Sequence, residues 1–251
     1  MASRRKKAIE AYTPLPPRSC RATSRHPADG LLADGCLDVA RHERDMKDCN
    51  PLTDYRFRRL VPSHDWAALP DDVRRRFSKR LAGQSVATYS GEIVRTRLSR
   101  IGWVLAQLCR LIGAPLPVNT SGPAPAAVMV SEDKASGGQI WTRIYGRART
   151  YPQVIHSAKR FAGATGLEEH IGGGFGMALT VRAEAEALIF TSDHYFWHVK
   201  GLRLRVPRWL APGETVVTHR HLAPGRFAFD LQVTHPLFGE LLSQHALFRD
   251  G

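Results

Sequence analysis

Arg226-Phe227-Ala228-Phe229-Asp230-Leu231-Gln232-Val233-Thr234-His235 reads with a period of two. Phe227, Phe229, Leu231 and Val233 fall on one side, and Ala228, Asp230, Gln232 and Thr234 on the other. That is how a strand with one face on a core is written. Ala223-Pro224-Gly225 is a turn, and residues 215–222 supply the preceding arm, so the stretch predicts a β-hairpin. Residues 240–248 then predict a closing strand. Residues 188–199 predict a long aromatic strand carrying Phe190, Tyr195, Phe196 and Trp197. Before it, Val181, Ala183 and Ala185 alternate with Arg182, Glu184 and Glu186 over residues 178–187.

Further strands are expected at residues 127–131, 139–145 and 150–159, and a short one at 86–92. Gly172-Gly173-Gly174 breaks the chain between two of them, and residues 206–212 form a proline-bounded loop. About eight strands joined by short turns predict an antiparallel sheet curled into a barrel or half-barrel. A parallel sheet needs crossover helices, and the C-terminal half shows none.

Two helices precede this sheet. Pro70-Asp71-Asp72 opens one that is expected to run to about Leu81, with acidic residues at its positive end and Gly83 beyond it. Residues 97–113 form the other. Its Ile101, Val104, Leu105, Leu108, Leu111 and Ile112 follow helical spacing, which predicts a face docked on the core. The competing reading is a membrane-surface helix with arginine at its rim and Trp103 at the interface. The fold class expected is therefore α+β: N-terminal helices and a curved antiparallel sheet. Residues 1–52, with Arg4-Arg5-Lys6-Lys7 and weak periodicity, read as a mobile basic leader, and residues 53–251 as a single domain.

Composition sets outer limits. Of 251 residues 43% are hydrophobic and 24% charged, enough for a sizeable core. No run reaches the roughly 18–20 apolar residues that span a bilayer. No apolar segment follows the basic N-terminus, so no secretory signal is expected. Four cysteines are too few for a disulfide scaffold, which predicts a cytosolic chain with reduced thiols. The net charge is +13, and residues 53–110 hold +7 of it, a bias that concentrates anions.

Six segments, in order, resemble landmarks of the bacterial domain of unknown function 4166. They are Trp66-Ala67-Ala68-Leu69-Pro70, Ala114-Pro115-Leu116-Pro117, Trp141-Thr142-Arg143-Ile144-Tyr145, Pro207-Arg208-Trp209-Leu210-Ala211-Pro212, Arg226-Phe227-Ala228-Phe229-Asp230 and His235-Pro236-Leu237-Phe238-Gly239. The likeness runs from about Tyr55 to Phe248. It departs at Leu242-Ser243-Gln244-His245, where the family usually has a further glycine and tyrosine, and in residues 1–52. In that family the domain occurs alone or attached to a dehydrogenase-like nucleotide-binding domain, so the resemblance implies a partner module of some enzyme system and no chemistry.

The residues themselves offer several sites. Gly172-Gly173-Gly174-Phe175-Gly176 lacks the Lys-Ser/Thr of a phosphate loop and leads into a strand, so a sheet bend accounts for it better. His219 and His221 share a strand side and need a third ligand from His194, His198 or Asp230 to hold a metal. Cys20, Cys36 and Cys49, with His26 and His42, lack the close pairs of a zinc site. No metal or cofactor is expected.

The segment that stands out is Trp141, Arg143 and Tyr145, an arginine between two aromatics on one strand face. If the sheet curls, this face grips an anion while the rings cover an apolar body. The reading is a non-catalytic binding module for an amphipathic, anionic, lipid-like ligand. Arg143 is the anchor, Trp141, Tyr145 and Trp197 the apolar wall, and Asp230 a polar contact. One alternative is an enzyme using a pair from His194, His219, His221 and Asp230. The other is a basic surface for membrane or nucleic acid, working through residues 74–110 and including Arg74-Arg75-Arg76. Sequence-specific nucleic-acid readout is not expected, because no helix-turn-helix, zinc-finger or RRM pattern is present.

Overall fold

The structure, a computed structural model, describes residues 53–118 and 122–251; the leader and its three cysteines lie outside the described residues. A 3-10 turn (Arg58–Leu60) leads to two short helices, α1 (Ser63–Ala68) and α2 (Asp71–Phe77). Strand β1 (Val86–Leu98) and helix α3 (Arg100–Leu111) follow. The remaining strands are β2 (Ala124–Asp133), β3 (Gly138–Tyr145), β4 (Gln153–Arg160), β5 (Glu168–Gly172) and β6 (Phe175–Glu184). After them come β7 (Ala187–Val199), β8 (Leu202–Arg205), β9 (Glu214–Ala223), β10 (Arg226–His235) and β11 (Gly239–Asp250).

All pairings between these strands are antiparallel. The sheet runs β6-β5-β4-β3-β2-β1-β11-β10-β9-β7-β8, and β6 also pairs with β7. Ten strands therefore close into a barrel, and β8 hangs outside on β7. The protein is mostly β, with eleven strands where about eight were expected. Two strands were missed and one was read too short. Residues 168–172 and 202–205 are too short to show an alternation, and β1 runs to Leu98 through a bulge between Ile93 and Arg95 that shifts its period. The helix expected over residues 70–81 ends at Phe77.

Hairpin connectivity sorts the loops between two barrel ends. At one end lie the β2–β3, β4–β5, β6–β7 and β9–β10 turns. The N-terminal segment plugs that end: Phe57, fully buried, meets Phe77, Phe161 and Phe190 edge to face with centroids 5.2, 4.9 and 6.2 Å apart. Asp72 fastens the plug by accepting a 2.8 Å hydrogen bond from the Gly225 amide, and Arg76 by pairing with Asp250 at 2.6 Å. At the opposite end lie α3, the β3–β4, β5–β6 and β10–β11 turns, and the β7–β9 connection with β8.

Helix α3 overturns the expectation for its apolar face. Ile101, Val104, Leu108 and Leu111 are exposed, and Leu111 is 83% accessible. The helix docks instead through Gly102, Ala106 and Cys109, one turn apart in sequence, while Leu105 of the expected face does pack against the core. The physical reason is closeness. A Cβ at Gly102 would overlap the Leu241 carbonyl oxygen, so only a small-residue face can seat against β11. Ser99 caps the helix, its Oγ accepting from the Gly102 amide at 3.0 Å.

Two stability outcomes follow. Gly102→Ala should lever α3 off β11, seen as faster hydrogen exchange in residues 100–111 with the barrel amides still protected. Phe57→Ala should cost the whole fold about 3–5 kcal/mol in denaturant unfolding, and a loss below about 1 kcal/mol would show that the plug is not part of the core.

Candidate functional site

A barrel of eight strands is just wide enough to be filled by its own side chains, and ten strands leave room. The lumen of this barrel holds two cavities in line. The one nearer the N-terminal plug is small, about 30 Å³, and is bordered by Arg76, His219, Phe227 and Trp141. The other, about 110 Å³, lies toward α3 and is lined by Ile155, Met177, Tyr195, Leu231 and Val233, with Cys109 and residues 114–117. Arg143, Tyr145 and Phe229 border both.

Strand alternation builds this wall. On β3, Gln139, Trp141, Arg143 and Tyr145 face inward. On β4, opposite in register, Ile155 pairs with Arg143 and Ser157 with Trp141. Lys159 follows two residues later, also inward. On β5, Glu169 pairs with Lys159 and with Met177 of β6. The barrel thus carries Arg143, Lys159 and Glu169 into its own interior, where Lys159 is 3% and Glu169 5% accessible.

These groups form one connected cluster. Lys159 Nζ donates to Glu169 Oε2 at 2.6 Å, Arg143 Nη2 to Glu169 Oε1 at 3.4 Å, and Arg143 Nη1 to Ser157 Oγ at 2.9 Å. Burial disfavours the Glu169 carboxylate, but the Lys159 ammonium and the Arg143 guanidinium outweigh it and hold its pKa down to about 2. Burial pushes the Lys159 pKa down; Glu169 opposes that shift and Arg143 adds to it. The cluster has two basic groups for one carboxylate. Aromatic faces supply part of the remaining solvation: the Arg143 guanidinium lies 5.8 Å from Trp141 and 6.0 Å from Phe229, and Lys159 lies 5.2 Å from Trp141.

Trp141, Arg143 and Tyr145 are therefore brought together on the lumen wall. Trp197 and Asp230 do not join them. Trp197 sits at the mouth, in the end pair of the β6–β7 ladder, stacked on Phe175 at 5.3 Å and donating to the Gly173 carbonyl oxygen. Asp230 has the opposite parity to Phe229, so it lies on the outer surface, where it pairs with His245 at 2.5 Å. Lys159 and Ser157 escaped the sequence reading, and Glu169, legible only as one of several carboxylates, was not placed beside Arg143. Ile155-x-Ser157-x-Lys159 shows the right alternation for the first two, but residues 168–172 gave no strand signal that would place Glu169.

The histidine and aspartate pair proposed for catalysis is not assembled. His194 pairs with Asp193, Asp230 with His245, and His221 stands 3.9 Å from Asp72. His219 is buried at 3% accessibility, stacked on Phe227 at 4.3 Å, with no partner for Nδ1. Among the described residues no three His, Cys, Asp or Glu side chains gather closely enough to hold a metal. Arg75 and Arg76, meant for a basic surface, pair with Asp72 and Asp250, and Arg74 pairs with Asp71. The triple glycine is a tight turn in which Gly173 and Gly174 have positive φ, pressed on the backbone of Ile112 and His198. No described helix is long and apolar enough to cross a membrane.

Fold and site define a closed ten-stranded antiparallel barrel with a cationic cluster inside an aromatic lumen. The chain belongs to the family described as a domain of unknown function (DUF4166), whose model matches residues 69–248. No curated protein and no solved structure matches it.

His219 makes a measurable mark on stability. Burial lowers its pKa to about 3 from an ordinary 6.5, with Arg76 adding to the shift. Between those values the unfolded chain holds a proton that the folded chain refuses, so stability falls as pH drops through that window. One such group contributes at most about 1.4 kcal/mol per pH unit. Stability to denaturant should fall steadily from pH 7 to pH 5, and His219→Gln should flatten that slope whatever its effect on absolute stability. Part of the slope remains with His170, whose pKa burial also lowers. An unchanged slope in the variant would place the effect elsewhere.

Proposed function

We propose that the barrel binds a small amphipathic anion in its lumen and carries out no chemistry on it. The observation that supports this reading is the cluster of Arg143, Lys159 and Glu169. Two basic groups share one carboxylate at the border of a cavity whose other walls are Ile155, Met177, Tyr195, Leu231 and Val233. An isolated charge in such surroundings is costly, and a carboxylate or phosphate ligand compensates the second cation. Arg143 can offer its planar fork to that group, and the Tyr145 and Phe229 rings flank the apolar part. A pocket that is mainly apolar, with a few convergent polar groups, is the usual form of a small-molecule site. The Tyr195 hydroxyl is already engaged with Thr215 Oγ1 at 2.6 Å, which leaves the ring as wall and not as an acid.

The family resemblance adds a context for such a module, as a companion to a dehydrogenase-like domain. A ligand-holding barrel suits that role without requiring catalysis by the barrel itself.

Native mass spectrometry of the purified full chain should reveal a co-purifying small anion. A fluorescent long-chain carboxylate should then bind the ligand-stripped protein. Arg143→Met should weaken it at least about tenfold, the scale of one lost charge-assisted hydrogen bond, while Arg143→Lys should retain part of the affinity. Unchanged affinity in Arg143→Met, with the fold intact by circular dichroism, would remove Arg143 from the site.

A further inference from the structure

Topology has gathered one kind of surface at one barrel end. Helix α3, the turns after β3, β5 and β10, and the connection from β7 to β9 all lie there. So do the exposed large hydrophobic side chains: among the described residues only Val86, Met129 and Leu222 lie elsewhere. On α3 these are Ile101, Trp103, Val104, Leu108 and Leu111. On the loops they include Tyr151 at 90%, Trp209 at 76% and Leu237 at 78% accessibility.

Charge segregates to the same place. The connections at this end carry eight arginine and lysine residues and no acidic residue among those described. Only Arg203 of the eight lies within 4 Å of a carboxylate, that of Glu168. At the plugged end acidic residues accompany the basic ones. There the arginines of α2 are neutralised by Asp71, Asp72 and Asp250.

We propose that the α3 end of the barrel docks on an anionic lipid bilayer, with α3 lying in the interface. Three features select a bilayer over a protein partner. The apolar residues are spread over a helix and several separate loops around a rim, which suits a fluid planar surface. Tryptophan and tyrosine, the residues that settle at headgroup depth, are among them. Seven of the eight flanking cations make no ion pair, which matches the negative potential of anionic lipid at about 1 kcal/mol per basic residue near the surface. An amphipathic helix with this composition binds by combining apolar insertion with that attraction. The larger lumen cavity ends beneath the same helix, at Cys109 and residues 114–117.

Vesicle co-sedimentation with the full chain tests the proposal. The protein should bind phosphatidylcholine vesicles containing phosphatidylserine at least about tenfold more tightly than pure phosphatidylcholine, with binding weakened by salt. Val104→Ser with Leu108→Ser should abolish it; both side chains are exposed, so folding is spared. Arg100→Glu with Arg110→Glu should do the same. Met129→Ser with Leu222→Ser, at apolar positions away from this end, should leave binding intact, as should Arg143→Met, which separates this surface from the lumen site. Equal or absent binding to both vesicles overturns the proposal. It is also overturned if binding survives the α3 variants and is lost on neutralising Arg4, Arg5, Lys6 and Lys7. A dimer that dissolves in the Val104→Ser, Leu108→Ser variant without vesicle binding would assign the face to a second copy and overturn it likewise.

Discussion

A curled sheet has two unpaired edges until its outer strands meet. Here β6 meets β7 over ten residue pairs, from Phe175 opposite Trp197 to Glu184 opposite Ala187. That ladder turns an open sheet into an enclosed volume and removes the edges that would invite aggregation. Everything else depends on it. Inward parity acquires a meaning only when there is an inside, and charged residues on that parity become buried only when the ring is shut.

Closure at ten strands also fixes what the interior must contain. The N-terminal segment fills one mouth with Phe57 and Phe77, and α3 with residues 114–117 covers the other. Between them the side chains do not meet completely, and Arg143 and Glu169 of the polar cluster border the larger cavity. A buried ion pair by itself is weak evidence for stability, because desolvation offsets much of its attraction. A buried group of two cations and one anion is still less suited to a purely structural task. That asymmetry, and not the presence of charge as such, separates the lumen from an ordinary satisfied core.

The two barrel ends divide the surface in a matching way. At the plugged end the arginines of α2 bind Asp71, Asp72 and Asp250. The other end leaves cations and apolar side chains together in the open. Arginine therefore serves as an internal brace in α2 and, for Arg100 and Arg110 of α3, as a charge without an ion pair. Only its neighbours decide which.

Alternation of single residues is local, so the strands around residues 139–145 and 226–235 could be read directly, together with the shared face of Trp141, Arg143 and Tyr145. Family membership was equally legible, because it is carried by short ordered segments. Other features were settled by contacts between residues far apart in the chain. Glu169 reaches Lys159 through a strand too short to announce itself. Asp230 faces outward because the core chose the phenylalanines beside it. Trp197 lies at the mouth because it closes the end pair of the β6–β7 ladder, opposite Phe175. Helix α3 shows the reason most plainly. Its sequence determined an amphipathic helix, but the close approach of Leu241 to Gly102 decided which side would be buried, and backbone proximity of that kind leaves no periodic mark in the residues themselves.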